Sequence, residues 1–304
     1  MKYDVVICTY NGEEFVKEQL ESILRQSIKP EKIIISDDGS KDNTIKIVQN
    51  TFFEHDFLNF EIVEGPRVGV SKNFFHALKY SVNGYVFFSD QDDVWLENKV
   101  SIYFEKVKYE NLDSKIPQLY FSDSMLIDES GAVTHNSFIE YQELNTKSVS
   151  DGSIIYQNCV QGATILINDA LRKKALESFE IVNVDKVAMH DWWLAILACT
   201  MGKAIYIQKP AMLYRQHSQN LVGAKKRLRW RQIANDIKGT YNALNIISIQ
   251  ALTYQEYLIN TMNSNNIILK ATKHCTRYKV IAIKIQMLII QTKQFLSKKP
   301  FGKF

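Results

Sequence analysis

Apolar and polar positions alternate along the first ninety residues in two different rhythms. Tyr3–Cys8, Lys32–Ser36, Asn59–Val63 and Tyr85–Ser89 are short β-rich runs that predict strands. Between them, Glu13–Arg25, Asn43–Phe52 and Ser71–Tyr80 show helical spacing, the first with Phe15, Leu20, Ile23 and Leu24 on its apolar side. Ser40 stands before the second helix as a candidate N-cap. Strands that alternate with helices of about ten residues predict a parallel sheet covered on both faces, an α/β fold. In such sheets ligands bind beyond the carboxyl ends of the strands.

Beyond residue 95 the rhythm is mixed. Leu119–Ile127 predicts another strand and Asp169–Ser178 a helix, while residues 135–158 are polar and loop-like. His190-Asp191 opens an apolar helical run that stops near Gly202, with Asp191 as the expected cap. Ala204–Ile207 and Ala211–Tyr214 predict a strand pair. This divides the chain into an α/β body, residues 1–222, and a helical, basic extension, residues 223–304.

Charge sharpens that division. Net charge is only +4, yet residues 225–304 carry 15 Lys and Arg against Asp236 and Glu256, while residues 1–224 hold 22 basic and 31 acidic residues. Composition is ordinary for a globular protein, and a disordered or repetitive chain is excluded. Cys8, Cys159, Cys199 and Cys275 lie far apart with no CxxC pair, so they are expected as reduced thiols in a cytosolic protein. The apolar run after Met1 is too short for a signal peptide, and Val280–Ile290 is interrupted by Lys284 and Gln286, so no spanning helix is expected.

Three polar clusters follow three of the strands: Thr9-Tyr10-Asn11-Gly12, Asp37-Asp38-Gly39-Ser40 and Asp90-Gln91-Asp92-Asp93. If the strands are parallel, all three meet on one edge. Asp90 and Asp92 directly follow the apolar run Val86-Phe87-Phe88, and carboxylates so placed suit a hard divalent cation, Mg²⁺ or Mn²⁺. Such an ion would neutralise charge on a leaving nucleoside diphosphate. In the second cluster, Asp38 or its neighbour Asp37 can accept the imide N–H of uracil or thymine, with Thr9, Tyr10 and Asn11 completing the pocket; a plain turn explains the cluster equally well when taken alone.

Cys8-Thr9-Tyr10-Asn11-Gly12, Ser36-Asp37-Asp38-Gly39-Ser40-Lys41-Asp42-Asn43-Thr44 and Ser89-Asp90-Gln91-Asp92-Asp93-Val94-Trp95 occur in the order and spacing seen in family 2 glycosyltransferases, which the chain resembles over residues 1–224. The resemblance implies a GT-A fold, a nucleotide-sugar donor, a divalent metal on the DxD segment and inversion at the anomeric carbon. It also implies a carboxylate base at the start of a later helix, a position matched by Asp191 in Met189-His190-Asp191-Trp192-Trp193, with His190 as a rival. Gln161-Gly162-Ala163-Thr164 resembles the loop near the acceptor, and Trp192 and Trp193 are expected to place at least one ring in the core. In Tyr214-Arg215-Gln216-His217 the resemblance implies Arg215 on a phosphate and His217 on the metal or diphosphate.

Within the family, the DxD and His190–Trp193 segments look most like bacterial rhamnosyltransferases of surface polysaccharide synthesis, which makes dTDP-rhamnose the first expected donor. UDP-hexoses and UDP-N-acetylhexosamines stay open, as does the acceptor, expected to be a lipid-linked oligosaccharide. The tail interleaves Lys225, Lys226, Arg227, Arg229 and Arg231 with Leu228 and Trp230, which suits an anionic membrane surface; so does the amphipathic segment Arg277–Leu296. The expected location is therefore the inner face of the cell membrane. A bundle packed on the body is the alternative, and no motif supports nucleic-acid binding. Two other classes remain: a nucleotidyltransferase, which lacks here its basic Gly-rich loop because Thr9–Glu14 holds one Gly and no Lys or Arg, and a non-catalytic sugar-nucleotide binder.

Overall fold

In a computed structural model, which describes residues 1–218, 220 and 237–265, the first half of the chain lays down β1 (Tyr3–Thr9), α1 (Val16–Leu24), β2 (Lys32–Asp37), α2 (Thr44–Glu54), β3 (Phe60–Glu64), α3 (Val70–Ala77) and β4 (Tyr85–Ser89). All seven residues of β1 are buried, because helices cover both faces of a parallel sheet and leave no solvated side. The four strands run parallel in the order β3-β2-β1-β4.

The second half departs from the all-parallel expectation. It contains β5 (Val94–Trp95), α4 (Lys99–Glu110), β6 (Gln118–Ile127), β7 (Val133–His135), α5 (Phe138–Tyr141), α6 (Ser148–Asp151), β8 (Leu166–Asn168), α7 (Asp169–Ile181), α8 (His190–Met201) and β9 (Lys203–Arg215). β8 joins antiparallel to β4 and to β6, β9 runs parallel to β6, and β5 and β7 pair antiparallel at β9 and β6. The sheet is thus mixed, continued from β4 as β8-β6-β9-β5.

Two local expectations are corrected. Ala204–Ile207 and Ala211–Tyr214 are one thirteen-residue strand, not a pair. Its partner β6 absorbs the interruption at Lys209-Pro210 by register shifts around Asp123, because proline has no N–H for the ladder. The polar stretch 135–158 contains α5 and α6, with Ser137 Oγ capping the Glu140 N–H.

The chain divides into two compact units. The first comprises Met1–Ile154, Asn158–Glu177 and the segment from Met189 through β9. Its core is apolar and aromatic, with Phe87 packed against Tyr3, Trp95, Tyr103 and Phe104. The second includes Ile155–Gln157, Ser178–Ala188 and the helix α9 (Ile237–Asn265), which buries Ala251, Tyr254, Tyr257 and Leu258. Within this unit the Ala188 N–H donates to Gln250 Oε1 at 2.9 Å, and Lys186 lies 3.4 Å from Glu256. Residues 225–231 and 277–296, on which the membrane expectation falls, lie outside the described residues. Among the described residues, no helix is long and apolar enough to cross a membrane.

Candidate active site

Register brings the three polar clusters together. Thr9 stands opposite Asp37, Ile7 opposite Ser89 and Asp37 opposite Glu64, so the carboxyl ends of β1, β2, β3 and β4 form one edge. The turns leaving them build the site.

At the ends of β1 and β2, hydrogen bonds are closed. Asp37 Oδ1 accepts from Thr9 Oγ1 at 2.7 Å and Ser40 Oγ at 2.6 Å, while Oδ2 accepts the N–H groups of Gly39 and Ser40 at 3.2 and 2.8 Å. Ser40 is therefore a clasp between turns, accepting the Asn11 N–H at 2.8 Å; the residue at the start of α2 is Asn43. Asn11, with φ +47°, turns the chain and accepts the Lys41 N–H at 2.9 Å. Asp38 accepts the N–H groups of Arg67 and Gly69, the latter at 3.1 Å, which fastens the loop after β3 beside the cluster. Gly65 is needed there, since a Cβ would come within 2.8 Å of the Asp37 carbonyl and 2.9 Å of Asp38 Oδ1. Tyr10 is exposed, its ring open to solvent.

Gln91, in the middle of the DxD segment, ties this side to the next. Its amide accepts the Tyr10 N–H at 2.9 Å and donates to the Tyr10 carbonyl at 3.1 Å. The side chain lies where a Cβ on Gly12 would meet it at 2.3 Å.

Around β4 the carboxylates are crowded and short of partners. Asp93 is buried; Oδ1 accepts the Arg215 N–H at 3.1 Å and Oδ2 has no hydrogen-bond partner. Burial, then Asp92 and Asp90, push its pKa well above the usual carboxylate range. Asp90 is pushed up to about 7, by burial first and then by Asp92 and Asp191. Asp92 Oδ2 lies 2.8 Å from His217 Nε2, a contact that raises the imidazole pKa. Arg215 is buried and its guanidinium is engaged: Nη2 reaches Glu18 at 2.6 Å, Nε the Asp92 carbonyl at 3.0 Å and Nη1 the Glu129 carbonyl at 3.0 Å. A phosphate there would have to displace Glu18.

Among the described residues, no three His, Cys, Asp or Glu side chains form a ready metal cage. His217 Nε2 bonds directly to Asp92 Oδ2. The donor set nevertheless fits Mg²⁺ or Mn²⁺, which are held by one or two carboxylates and complete their shell with water and substrate phosphates.

Asp191 is the second residue of α8, not its cap, which is Met189. It is buried, and burial raises its pKa to about 7 against the opposing pull of N–H donors from Trp192, Gly162 and Asn158. Asn158 Nδ2 donates to Oδ1 at 3.0 Å and so aims the carboxyl. Gly162 lets its loop lie close, as a Cβ would come 2.8 Å from His190 Nε2 and 3.6 Å from Asp191 Oδ2. His190 is walled by Phe74, Phe75 and Phe88, has no partner on either ring nitrogen, and is held neutral by burial, its pKa lowered to about 3. It is a poor base. Trp192 and Trp193 are both buried.

Gln91, Asn158 and Lys99 lie at the site beyond the residues expected from the sequence, and Asp93 belongs to the acidic cluster expected there. Gln91 and Asp93 sit inside the DxD segment and had a positional signal; Asn158 and Lys99 had none, since long-range packing alone brings them here.

These features, acidic side chains at parallel strand ends and a buried carboxyl at a later helix start, are set on the mixed, helix-flanked sheet of a GT-A glycosyltransferase. The chain belongs to the family described as Glycosyl transferase family 2, matched over residues 4–164. It is 31% identical over 229 residues to the dTDP-rhamnosyl transferase RfbG of Shigella flexneri, covering 72% of this chain and 74% of that one. It is 23% identical to the Escherichia coli UDP-Glc:alpha-D-GlcNAc-diphosphoundecaprenol beta-1,3-glucosyltransferase WfgD, covering 90% and 96%. Its fold is similar to residues 1–349 of Staphylococcus aureus TarS, solved in complex with UDP-GlcNAc, with a TM-score of 0.56, 17% identity, and coverage of 94% and 81%.

Proposed function

We propose that this glycosyltransferase is an inverting, metal-dependent enzyme that moves a sugar from a nucleoside-diphosphate donor, dTDP-rhamnose first, to a hydroxyl of a lipid-linked glycan in bacterial surface polysaccharide synthesis. The observation that carries the reading is Asp191: a buried carboxyl with a pKa of about 7, near enough to Asp90 to perturb it, is poised to accept a proton beside the donor's charged end. The acceptor oxygen attacks the anomeric carbon, the carbon–oxygen bond to the diphosphate breaks on the opposite face, and the hydroxyl proton passes to Asp191. A divalent cation held by Asp90 and Asp92, with His217 beside them, would supply charge neutralisation for the departing diphosphate. Thr9, Tyr10, Asn11 and the Asp37-Asp38 turn hold the base edge, Asp37 by fixing the turn and Tyr10 by stacking.

The likeness to RfbG supports the rhamnosyl donor. A UDP-glucose donor is the second reading, favoured by the likeness to WfgD over nearly the whole of both chains. Residues 1–222 would carry the catalysis, and the basic segments in 223–304 would meet anionic lipid on the inner face of the cell membrane. The test is nucleoside diphosphate release from dTDP-, UDP- and GDP-sugars with Mn²⁺ or EDTA, in wild type and Asp92→Ala, with a lipid-linked acceptor extract. Turnover of dTDP-rhamnose that needs metal and is lost in the variant supports the proposal. Turnover of UDP-glucose instead selects the second reading, and pyrophosphate release would overturn both.

A further inference from the structure

The helix α3 touches both halves of the site. It begins where the loop after β3 is fastened, with the N–H groups of Arg67 and Gly69 bonded to Asp38. On the sheet side, Asn73 Nδ2 donates to the Ser36 carbonyl at 2.8 Å and its Oδ1 accepts from Ser36 Oγ at 2.5 Å, which locks α3 to the end of β2. Ser71, Phe74 and Phe75, spaced i, i+3 and i+4, share another face of the helix, and all three meet His190, the first residue of α8. Ser71 Oγ accepts the His190 N–H at 3.2 Å and lies 3.8 Å from Met189 Sδ. The Phe74 and Phe75 rings pack on the imidazole, with centroids at 4.1 and 6.3 Å. Met189, at the cap position of α8, makes no side-chain bond to the helix, so the orphan N–H of its first residue is taken up from outside, by α3. Neither imidazole nitrogen is hydrogen-bonded, which leaves aromatic packing to hold the ring and the Ser71 hydroxyl to hold the backbone.

We propose that Ser71 is a positioning residue for the base: by holding the His190 N–H from α3, its hydroxyl fixes the backbone of the first turn of α8 and so the place from which the Asp191 carboxyl reaches the acceptor. Asn158 aims that carboxyl through Oδ1; Ser71 sets the chain one residue before it. Because α3 is also locked to the end of β2 and to Asp38, the same helix keeps the turn that receives the nucleotide at a fixed spacing from the base. Small displacements of a reacting group cost rate steeply while leaving ground-state binding nearly untouched. A hydroxyl that served only to satisfy a buried N–H would contribute stability and no rate. The proposal rests on the reading of Asp191 as base.

The test compares Ser71→Thr with Ser71→Val in the full chain. The two side chains have the same shape and differ only in the hydroxyl, so any strain from the added methyl group cancels between them. Steady-state nucleoside diphosphate release gives kcat and the donor KM, and amide hydrogen exchange is followed at the start of α8. Ser71→Val is expected to lose about tenfold in kcat relative to Ser71→Thr. The donor KM of the two is expected to agree within about twofold. Ser71→Ala is expected to follow Ser71→Val. Exchange at the first turn of α8 is expected to quicken in Ser71→Val and to stay slow in Ser71→Thr. Equal kcat in the Thr and Val variants, or a kcat loss matched by an equal loss of donor affinity, would overturn the proposal and leave Ser71 as a structural hydrogen bond. Asp191→Asn, run beside them, separates the two ideas. If it keeps wild-type kcat, the base reading fails and the role of Ser71 falls with it; if it loses turnover while Thr and Val stay equal, only the role of Ser71 fails.

Discussion

Two carboxylate clusters on the same sheet edge have opposite electrostatics. Asp37 and Asp38, at the end of β2, accept hydrogen bonds from hydroxyl and backbone donors on three turns. Asp90, Asp93 and Asp191, after β4 and in α8, are held with raised pKa values in a setting where burial outweighs the donors supplied. The first cluster is mortar: its acceptors are filled inside the protein, which preforms the turns that receive the nucleotide in the proposed reading. The second is short of donors, so burial favours its protonated form, and in the proposed reading a cation or substrate would take the proton's place. In the proposed reading, binding and chemistry are thus divided between neighbouring strand ends by how completely each carboxylate is hydrogen-bonded.

The sharpest way to break the comparison is at the base. Asp191→Asn keeps the shape and the bond from Asn158, and is expected to lower kcat about 10³-fold with donor affinity little changed, read by steady-state kinetics and donor titration. A loss in donor affinity with kcat retained would place Asp191 in the binding half. In the satisfied cluster the opposite pattern is expected. Asp37→Ala orphans Thr9, Ser40 and two N–H groups, and is expected to destabilise the fold by about 3 kcal/mol in denaturant titrations. Wild-type stability in that variant would remove the distinction.

The smallest effect concerns pH, measured in EDTA. The folded pKa of Asp191, about 7, lies above its unfolded value, so its contribution to stability is fully present in acid and lost as pH rises toward 7. Asp191→Asn is therefore expected to be more stable than wild type at pH 8 by on the order of 2 kcal/mol, and near parity at pH 4. The same ionisation makes kcat/KM climb with pH and level off above about 7. A flat profile, with no stability gain at pH 8, would show that the carboxyl is already ionised and its burial compensated.

Local rhythm made much of the first unit legible. The strands at Tyr3, Lys32 and Tyr85 and the helices between them appear within a few residues of their expected bounds, because each is read from a period of two or 3.6 residues and short-range sterics. The strand at Lys203–Arg215 was misread as a pair because Lys209-Pro210 interrupts the alternation, whereas pairing along β6 carries the strand through it. The cap at Asp191 was displaced by two residues for a related reason: helix starts depend on backbone partners that composition does not reveal.

Residue order alone determined which groups could do chemistry: carboxylates after apolar strands, an acidic residue opening a helix, and a basic tail set apart from an acidic body. Only the tertiary structure decided what state those groups are in. Asp37 and Asp90 are the same side chain at neighbouring strand ends, yet one meets donors from two turns and the other meets Asp92, Asp191 and a buried lysine. Ionisation and hydrogen bonding depend on distances of a few ångströms between residues far apart in the chain, and such distances exist only once the sheet has brought its strand ends together.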